Sequence, residues 1–307
     1  MATILALGLA YEPNFYWLGS IWNVNPNYTH GWLVIPIALV ILWQRLTTPE
    51  SEPSPSAISR PWLGWCFLAA ILAVRAFAYE GNFSWLETAT ILPAIACLVW
   101  SFGSWPLLRR VWPAIAFLVF MLPLPETINN GIALPLQQIA AAGSSFLLQL
   151  SGLWAIREGN IINLRTAHEG MERLDVAAAC NGLKMLMTLT ATITATIILV
   201  PLPTWKRIVL LVSIVPIALV SNMIRIVATG FCYYLIEGPT AKAWAHDVSG
   251  WLMMPMALVL VGLELGILSW LVPTEAEPDD DERKSMLSLL SEKSRGTVPK
   301  KGRDPEV

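Results

Sequence analysis

Seven long apolar stretches, separated by short polar segments, account for most of the chain. They cover residues 30–46, 62–79, 86–102, 110–125, 180–202, 208–236 and 249–272. A helix of about 20 apolar residues crosses the ~30 Å hydrocarbon core of a bilayer, and roughly 17–25 residues are tolerated. Because no water reaches that core, the backbone of each stretch must satisfy its own hydrogen bonds, which a helix does. The sequence therefore predicts an all-α polytopic membrane protein.

The composition supports this class and argues against several others. Hydrophobic residues make up 55% of the 307 positions and charged residues only 14%, a balance that is rare in water-soluble domains. The net charge of -2 leaves no basic surface to neutralise phosphates, so no nucleic acid is expected as a partner. The four cysteines have neither metal-ligand nor disulfide-framework spacing, and we predict no cofactor and no metal.

The two termini differ from the rest of the chain. Residues 274–307 contain nine acidic and seven basic residues, and we predict a charged, disordered cytoplasmic tail there because the segment has too little apolar content to order itself. Residues 1–273 form the predicted membrane domain. The N-terminal segment MATILALGLAYEP lacks a basic region and reaches Glu12 early, so it is a poor signal peptide. Whether residues 1–22 cross the membrane stays open.

Basic residues mark one side of the predicted membrane domain. They lie in the segments between apolar stretches and are Arg45, Arg60, Arg109, Arg110, Lys206 and Arg207. By the positive-inside rule, these segments are cytoplasmic. Residues 131–152 conflict with that arrangement, because one more crossing there would move Lys206 and the tail to the outside.

We therefore predict that residues 131–152 do not cross the membrane. Gln138, Ser145 and Gln149 fall near one face of a helix with small residues beside them, which suits a re-entrant or interfacial amphipathic helix. A helix packed inside the bundle is the alternative. The predicted fold thus has about 7–8 transmembrane helices, this one exceptional helix, and a small loop or hairpin on the outer face.

The hairpin is predicted within residues 153–178. The segments NIINLRT and RLDVAA alternate apolar and polar residues with the period of a β-strand. The predicted orientation brings this hairpin, Cys180, Arg225 and His246 to one depth at the outer face. Residues that carry chemistry are therefore expected to meet there.

Arg225 is the residue that a simple membrane span explains least. A cation at the centre of a transmembrane helix costs about 2.5–3.5 kcal/mol and usually faces a polar cavity or a partner. Asn222 precedes Arg225 by three residues, so the two side chains share one helical face and can orient each other or a common ligand. The alternative is that Arg225 only snorkels to the outer headgroups.

Cys180 and His246 each stand at the outer end of another apolar stretch. A thiol with a reference pKa of ~8.5 beside an imidazole with one of ~6.5 favours a thiolate–imidazolium pair at a partly dry site. The thiolate attacks a peptide carbonyl, the imidazolium protonates the leaving amine, and the guanidinium of Arg225 suits the developing oxyanion. This is nucleophilic acyl transfer.

Other protease classes lack their motifs in this sequence. There is no HExxH, no GxSxG and no clustered Asp pair within the apolar stretches, which argues against a metalloprotease, a rhomboid-type serine protease and an intramembrane aspartyl protease. Two further histidines are ambiguous. His168, in the predicted outer loop, is either a second histidine near the site or a solvated residue, and His30, at the start of the first stretch, is either substrate-binding or structural.

Six segments follow one another in a specific order between residues 25 and 270. They are YTHGWLVIPIALVILWQR, FLVFMLPLPETINNGIALPLQQIAAAGSSFLLQLSG, REGNIINL, ACNGLKML, SNMIRI and AHDVSGWLMM. In these segments the chain resembles the exosortase/archaeosortase family of polytopic membrane cysteine transpeptidases. The order of Cys, then Asn-x-x-Arg, then His is the specific part. The tail beyond Pro273 lies outside the resemblance.

The resemblance implies a role for each residue of that order. It makes Cys180 the nucleophile, Arg225 the stabiliser of the oxyanion or substrate, and His246 the acid/base. Beside these three, we predict supporting or substrate-binding roles for Asn222, Lys184, Asn181 and His30.

This chain departs from the usual family pattern around the cysteine. Ala178 stands where the family often has Glu, Asn181 where it has Ser, and Lys184 where it has Arg. Because the three central residues are present, these departures concern substrate preference more than activity.

The resemblance also implies a substrate and a location. Such enzymes process exported proteins that carry a C-terminal sorting tail, made of a motif such as Pro-Glu-Pro, a transmembrane helix and a basic end. Expected partners are therefore those proteins and the lipid bilayer, with the active site on the outer, periplasmic face of a bacterial cytoplasmic membrane. The recognition motif, the acceptor and the oligomeric state stay open.

Two other functions remain as alternatives. A non-enzymatic transporter or scaffold for surface polysaccharide export would bind an anionic substrate at Arg225, although the sequence shows no internal repeat of the kind common in transporters. A plain protease would form the same acyl-enzyme and release its product to water.

Overall fold

Helices make up nearly all of the regular structure in the computed structural model, which describes residues 2–48, 61–167, 170–176, 182–236 and 239–271. The α-helices are α1 (Ala2–Ala10), α2 (Glu12–Val24), α3 (Gly31–Thr47), α4 (Pro61–Glu80), α5 (Ser84–Ala89), α6 (Ile91–Gly103), α7 (Trp105–Phe117), α8 (Glu126–Leu150), α9 (Gly182–Leu199), α10 (Thr204–Leu235) and α11 (Pro239–Leu271). Short 3-10 helices cover Pro26–Tyr28 and Leu118–Met121, and the strands are β1 (Ala155–Glu158), β2 (Ile161–Arg165) and β3 (Met171–Asp175). The mainly helical fold agrees with the predicted class.

Contacts divide the chain into two units, Met1–Val261 and Gly262–Val307. In the second unit, the described residues Gly262–Leu271 are helical. The predicted tail lies outside the described residues, as does Arg60, so the predicted boundary after residue 273 stays a prediction. The architecture below is that of the first unit.

Several helices are long and apolar enough to cross a membrane. Within the described residues they are Pro26–Thr47, Pro61–Glu80, Ser84–Gly103, Glu126–Leu150 and Thr204–Leu235, and shorter apolar helices cover Leu183–Leu199 and Leu258–Leu271. Four of these five helices match predicted apolar stretches. The remaining one, Glu126–Leu150, is α8, the helix that we predicted not to cross. The multi-pass character is therefore confirmed, whereas length alone does not decide the number of crossings.

Helix α9 lies at the centre of the bundle. It packs against α3, α7, α8, α10 and the first 3-10 helix. Its threonine hydroxyls donate hydrogen bonds of 2.7–2.9 Å to backbone carbonyls four residues earlier, at Thr188, Thr190, Thr192 and Thr196. Because the helix satisfies these hydroxyls itself, a threonine-rich segment can be buried among apolar neighbours without the cost of unpaired polar groups.

The packed helices define two ends of the bundle, which we call the Gln44 end and the His30 end after residues at the two ends of α3. At the Gln44 end, Gln44 Nε2 donates a 2.9 Å hydrogen bond to the carbonyl of Leu199, at the end of α9. At the His30 end, His30 and Lys184 are close enough to interact electrostatically. Helices α3 and α9 are therefore parallel. Helix α10 follows α9 after a short connection, runs antiparallel to it, and brings Arg225 within electrostatic range of Lys184.

Basic residues gather at the Gln44 end. The guanidinium of Arg110 donates hydrogen bonds to the carbonyls of Arg45, Leu46 and Thr48, where α3 ends. These carbonyls have no partner within the helix, so the contact caps α3 with a cation at the negative end of its dipole. Lys206 begins α10 at the same end. Three of the residues that the sequence analysis assigned to one side of the membrane, Arg45, Arg110 and Lys206, thus lie at one end of the described helices.

The predicted span at residues 110–125 is not one helix. Helix α7 ends at Phe117, a 3-10 helix follows to Met121, and the backbone is extended at Leu122 and Pro125. Proline cannot donate a backbone hydrogen bond, which explains why the helix does not continue through this segment. The segment still reaches the His30 end, where Trp22 Nε1 donates a 3.0 Å hydrogen bond to the carbonyl of Met121.

Helix α8 contacts residues of the His30 end at several points along its length. Near its start, Asn129 Oδ1 accepts a hydrogen bond of 3.3 Å from the Tyr28 hydroxyl. Further along, Gly143 lies so close to Met223 of α10 that an added Cβ would be 2.2 Å from the methionine methyl. Leu148 packs against Gly230, beyond Arg225 on α10.

The faces of α8 differ from the prediction. The buried face consists of small and apolar residues, namely Ala133, Ala140, Ala141, Ser144, Ser145 and Leu148. Gln138 and Gln149 are exposed whereas Ser145 is buried, so the three polar residues of the predicted amphipathic helix do not share one environment. The opposite face exposes Leu134, Ile139, Phe146 and Leu150. Small residues allow close packing between helices in a membrane, and large apolar residues suit contact with lipid.

The predicted hairpin is a three-stranded antiparallel sheet with strand order β1-β2-β3. Strands β2 and β3 correspond to the two predicted segments, and β1 was not predicted. The apolar residues Ile162, Leu164 and Leu174 are buried and pack with α8 and α10 in one hydrophobic cluster. The amide of Ala167 donates to the carbonyl of Tyr234, so the sheet lies beside the end of α10.

Candidate functional site

The structure describes only part of the predicted catalytic set. Cys180, Asn181 and His168 lie outside the described residues. His246 belongs to α11, and its side chain is likewise outside the described part. The distances from Cys180 and His246 to other groups therefore stay untested.

Four predicted site residues are described, and they come from three helices at the His30 end. His30 precedes α3, Lys184 lies in the first turn of α9, and Asn222 and Arg225 lie on α10. Lys184 interacts electrostatically with both His30 and Arg225. The fold thus brings together residues separated by up to 195 positions, and we call them the His30 cluster.

His30 is a buried polar residue without conventional hydrogen bonds. Its side chain is 4% exposed, and neither ring nitrogen makes a hydrogen bond of normal geometry to a described residue. The backbone of Asn27 and of Phe120 lies within interaction range, and the Tyr28 ring is centred 6.3 Å away. Backbone carbonyls there can accept a hydrogen bond from the ring, so the position of His30 suits a structural role as well as a substrate-binding one.

Asn222 has a comparable environment one turn before Arg225. It is 1% exposed, and its Oδ1 has no hydrogen-bond partner among the described residues. The same holds for the hydroxyl of Ser221. These oxygens can accept hydrogen bonds from a bound group.

The electrostatics of the His30 cluster favour negative charge. Lys184 and Arg225 are partly buried cations on neighbouring helices. Like charges at this range repel each other, and a negative group beside them would reduce that repulsion.

A second polar cluster was missed by the sequence analysis. Arg75 of α4 forms an ion pair of 3.0 Å with Glu87 of α5, contacts Asn14 Oδ1 at 3.4 Å, and lies 4.5 Å from the centre of the Tyr11 ring. It also donates to the carbonyl of Ala10. A charged residue within the apolar stretch 62–79 was the available signal, and it is the same signal that drew attention to Arg225.

Comparison with known proteins identifies the family of this chain. The family model for transmembrane exosortases matches residues 22–263. That range covers most of the chain and includes every residue of the His30 cluster. The chain belongs to the transmembrane exosortase family. No curated protein and no solved structure shows significant similarity to it.

The exosortase match confirms the resemblance found in the sequence. It includes α3 to α10, the sheet, and the positions of Cys180 and His246. It does not include α1 or most of α2, so Asn14 lies outside it while Arg75 and Glu87 lie inside. The Arg75–Glu87 ion pair therefore lies within the part of the chain that matches the family. The contact of Arg75 with Asn14 of α2 involves a residue outside that part.

Proposed function

We propose that this exosortase is a membrane-embedded cysteine transpeptidase that cleaves C-terminal sorting signals of exported proteins through a Cys180 acyl-enzyme. The observation that carries the proposal is the His30 cluster. Its four residues converge at the start of α9, and Cys180 precedes the first residue of α9 by two positions. We propose that the positive charges of Lys184 and Arg225 favour the ionised form of the Cys180 thiol.

The first half of the reaction forms a thioester. The Cys180 thiolate attacks the carbonyl carbon of the scissile peptide bond, and the carbonyl oxygen gains negative charge. Arg225 stabilises this oxyanion, with Lys184 contributing positive potential from the neighbouring helix. His246 gives its proton to the leaving amine, the C–N bond breaks, and the acyl group stays on sulfur.

The second half releases the acyl group. An amine gives amide transfer and water gives hydrolysis; in both cases the nucleophile loses a proton to His246, and the C–S bond breaks with return of the Cys180 thiol. In this scheme Asn222 and His30 position the substrate, because each has buried hydrogen-bonding atoms without described partners. Asn181 follows the nucleophile and serves as a further supporting residue.

Membrane topology supports the same assignment. We infer that the His30 end is the outer, periplasmic face of a bacterial cytoplasmic membrane, since Arg45, Arg110 and Lys206 lie at the opposite end. We also infer that α8 stays on the outer side, because its contacts with Tyr28 and with Gly230 both involve residues of the His30 end. With α8 uncrossed, the predicted span count and the cytoplasmic position of Lys206 agree.

The topology also suits the substrate. A sorting tail contains a transmembrane helix followed by basic residues, and the positive-inside rule keeps that basic end in the cytoplasm. The peptide just outside the helix then lies at the depth of the His30 cluster. The exported part of the substrate is released or transferred from the outer face.

A transporter or scaffold for surface polysaccharide is the alternative function. Transporters bind their substrates near the middle of the membrane, whereas the described polar site residues lie at one end of the helices. The unpartnered acceptors of Asn222 and His30 suit a peptide backbone, which supplies N–H donors. We therefore favour the enzyme.

The test is processing of a co-expressed protein that carries a sorting tail. Cys180→Ala should abolish the shorter product, whereas Cys66→Ala should not, because Cys66 lies on the exposed surface of α4. Mass spectrometry of the new C-terminus then distinguishes hydrolysis from transfer. Normal processing by Cys180→Ala, with the Cys66→Ala control also active, would exclude the acyl-enzyme and favour the transporter.

A further inference from the structure

The three-stranded sheet has two outer strands, β1 and β3, which differ in what covers their free edges. With the strand order β1-β2-β3, only β2 pairs on both sides. Helix α8 covers the free edge of β1. Gln149 Nε2 donates a 2.6 Å hydrogen bond to the carbonyl of Ala155, and Arg157 Nη1 donates one of 3.4 Å to the carbonyl of Gln138. Proteins usually protect an edge strand, because its unpaired backbone groups invite pairing with another chain.

The free edge of β3 has no such cover among the described residues. The Val176 amide, just after β3, donates a 2.9 Å hydrogen bond to the carbonyl of Asn160 across the ladder. The backbone groups of successive residues in a strand face alternate neighbours, so those of Met171 and Arg173 face away from β2. No hydrogen bond from another described residue reaches these N–H and C=O groups, and both side chains are exposed.

Strand β3 leads toward the His30 cluster. Ala167, in the connection before β3, donates to the carbonyl of Tyr234 near the end of α10. Val176, directly after β3, is buried in the hydrophobic cluster that contains Ile226, the residue next to Arg225. Strand β3 therefore runs along α10, from the end of that helix back toward the level of Arg225.

The order of the chain continues this direction to the proposed nucleophile. Cys180 follows Val176 by four positions and precedes α9, whose first turn contains Lys184. A peptide that lies along β3 is therefore directed toward the segment that carries Cys180. In a helix the backbone groups of a peptide bond to each other, whereas an extended peptide offers them to the edge of a sheet.

We propose that the free edge of β3 binds the substrate as an added strand. The bound part is the peptide between the exported part of the substrate and its transmembrane helix, in an extended conformation. This assignment rests on the proposed function. Met171 and Arg173 supply main-chain hydrogen bonds, which hold a peptide with little dependence on its side chains. The added strand positions the peptide for attack by Cys180.

The added strand runs parallel to β3. The exported part of the substrate lies outside and its helix lies in the membrane, so the peptide runs toward the membrane from its N-terminal to its C-terminal end. Strand β3 runs in the same direction, since it is followed by the apolar helix α9. Sheets that combine antiparallel and parallel pairs are common.

Amide-to-ester replacement in the substrate tests the backbone hydrogen bonds directly. The full-length parent protein in detergent is given synthetic sorting-tail peptides in which one backbone N–H is replaced by an ester oxygen, at each successive non-proline residue before the scissile bond. Only alternate residues of an added strand bond to the sheet. We expect esters at every second position to raise KM about fivefold, the effect of losing one hydrogen bond, with kcat unchanged. Esters at the positions between should leave KM unchanged.

The two proposals fail in different ways in this experiment. A KM profile without alternation, together with normal cleavage of the unmodified peptide, would reject the β3 edge and leave the proposed function intact. Absence of cleavage of the unmodified peptide would reject the proposed function, and the substrate edge with it.

Proline substitution tests the same hydrogen bonds from the side of the enzyme. Arg173→Pro and Arg173→Ala both remove the guanidinium, but only proline removes the N–H that faces the free edge. Because that N–H does not bond to β2, the ladder within the sheet is kept. We expect the KM of Arg173→Pro to be about fivefold above that of Arg173→Ala. Equal KM values would overturn the proposal.

Strand β1 provides the matched control. The N–H of Arg157 also faces away from β2, but α8 covers that edge. Arg157→Pro and Arg157→Ala should therefore have the same KM for the sorting-tail peptide. A difference at Arg157 as large as that at Arg173 would show a general effect of proline on the sheet and would overturn the assignment to β3.

A second copy of the chain is the other occupant that an open edge can take. Light scattering in detergent distinguishes it, and we expect the parent protein and Arg173→Pro to have the same mass. A parent dimer that Arg173→Pro converts to a monomer, together with a uniform KM profile of the ester peptides, would assign the edge to self-association and reject substrate binding there.

Discussion

Arg75 Nη2 lies 3.0 Å from Glu87 Oε1, and the pair links α4 to α5 between two predicted membrane spans. The guanidinium is also surrounded by Asn14, the Tyr11 ring and the carbonyl of Ala10. The charge is therefore balanced and hydrogen-bonded. Arg225 of α10 lies within electrostatic range of a like charge, that of Lys184.

The Arg75–Glu87 pair should control stability rather than catalysis. The side chains are 20% and 12% exposed, and removing one partner of such a buried pair typically costs 3–5 kcal/mol because the other charge stays behind. We expect Arg75→Met and Glu87→Gln each to lower the thermal unfolding temperature in detergent. The double variant should recover most of that loss. Additive losses in the double variant would show that the pair does not act as a unit.

The His30 end should be accessible from outside the cell. We expect a membrane-impermeant maleimide to label protein in which Cys180 is the only cysteine, in intact cells. Cys232 must be removed for this test because it is only half-buried and lies beyond Arg225 on α10. As the control, protein with Cys66 alone should react only after permeabilisation. The reverse pattern would invert the topology.

Both ends of α8 should lie on the same side of the membrane. Thr127 and Ser151 are exposed residues near the two ends of this helix. In a cysteine-free background, Thr127→Cys and Ser151→Cys should both react with impermeant maleimide in intact cells. If α8 crosses the membrane, only one of the two will react.

Sequence patterns located most of the apolar helices, but they do not decide whether α8 crosses the membrane. Length and hydropathy identify a helix that can span, and α8 meets both criteria. What distinguishes it is a tertiary property, the packing of Ala141 and Ser144 against α10 and the sheet. Small residues contribute little to a hydropathy pattern in either direction. Their role as a packing face becomes visible only when the partner helix is known.

The candidate site was predictable to a similar degree. Arg225 was conspicuous because a cation in an apolar stretch requires an explanation. Arg75 gives the same signal, but its partner Glu87 lies beyond a connection that sequence spacing does not resolve. The cavity between Trp17, Trp85 and Glu126 was not predictable, because it is formed by four separate segments that meet only in the fold.

His30 should contribute to activity rather than to folding. Its ring is buried beside the backbone of Asn27 and Phe120, and Phe fills a similar volume without a hydrogen-bonding atom. We expect His30→Phe to keep the membrane yield and thermal stability of the parent and to process substrate roughly tenfold more slowly, since one hydrogen bond to a charged or polarised group contributes about 1.5–3 kcal/mol. Parent-like turnover would assign His30 a packing role.

Arg225→Lys separates geometry from charge at the proposed oxyanion site. If Arg225 only interacts with lipid headgroups, lysine should serve equally well, because both side chains are cationic. If Arg225 instead holds the oxyanion with two donors of its planar guanidinium, a single flexible ammonium will lose much of that stabilisation. One oxyanion donor is typically worth about 2.7–4 kcal/mol, or roughly 100- to 1000-fold in rate.

We therefore expect Arg225→Lys to process the sorting tail at least about tenfold more slowly than the parent. Membrane yield and the elution profile in detergent should not change, because the positive charge beside Lys184 is kept. Lys184→Arg is the matched control at the other cation of the His30 cluster. It restores the residue usual in the family and should keep activity. Equal turnover by Arg225→Lys and the parent would remove Arg225 from the catalytic set, leaving Cys180 and His246 to act without it.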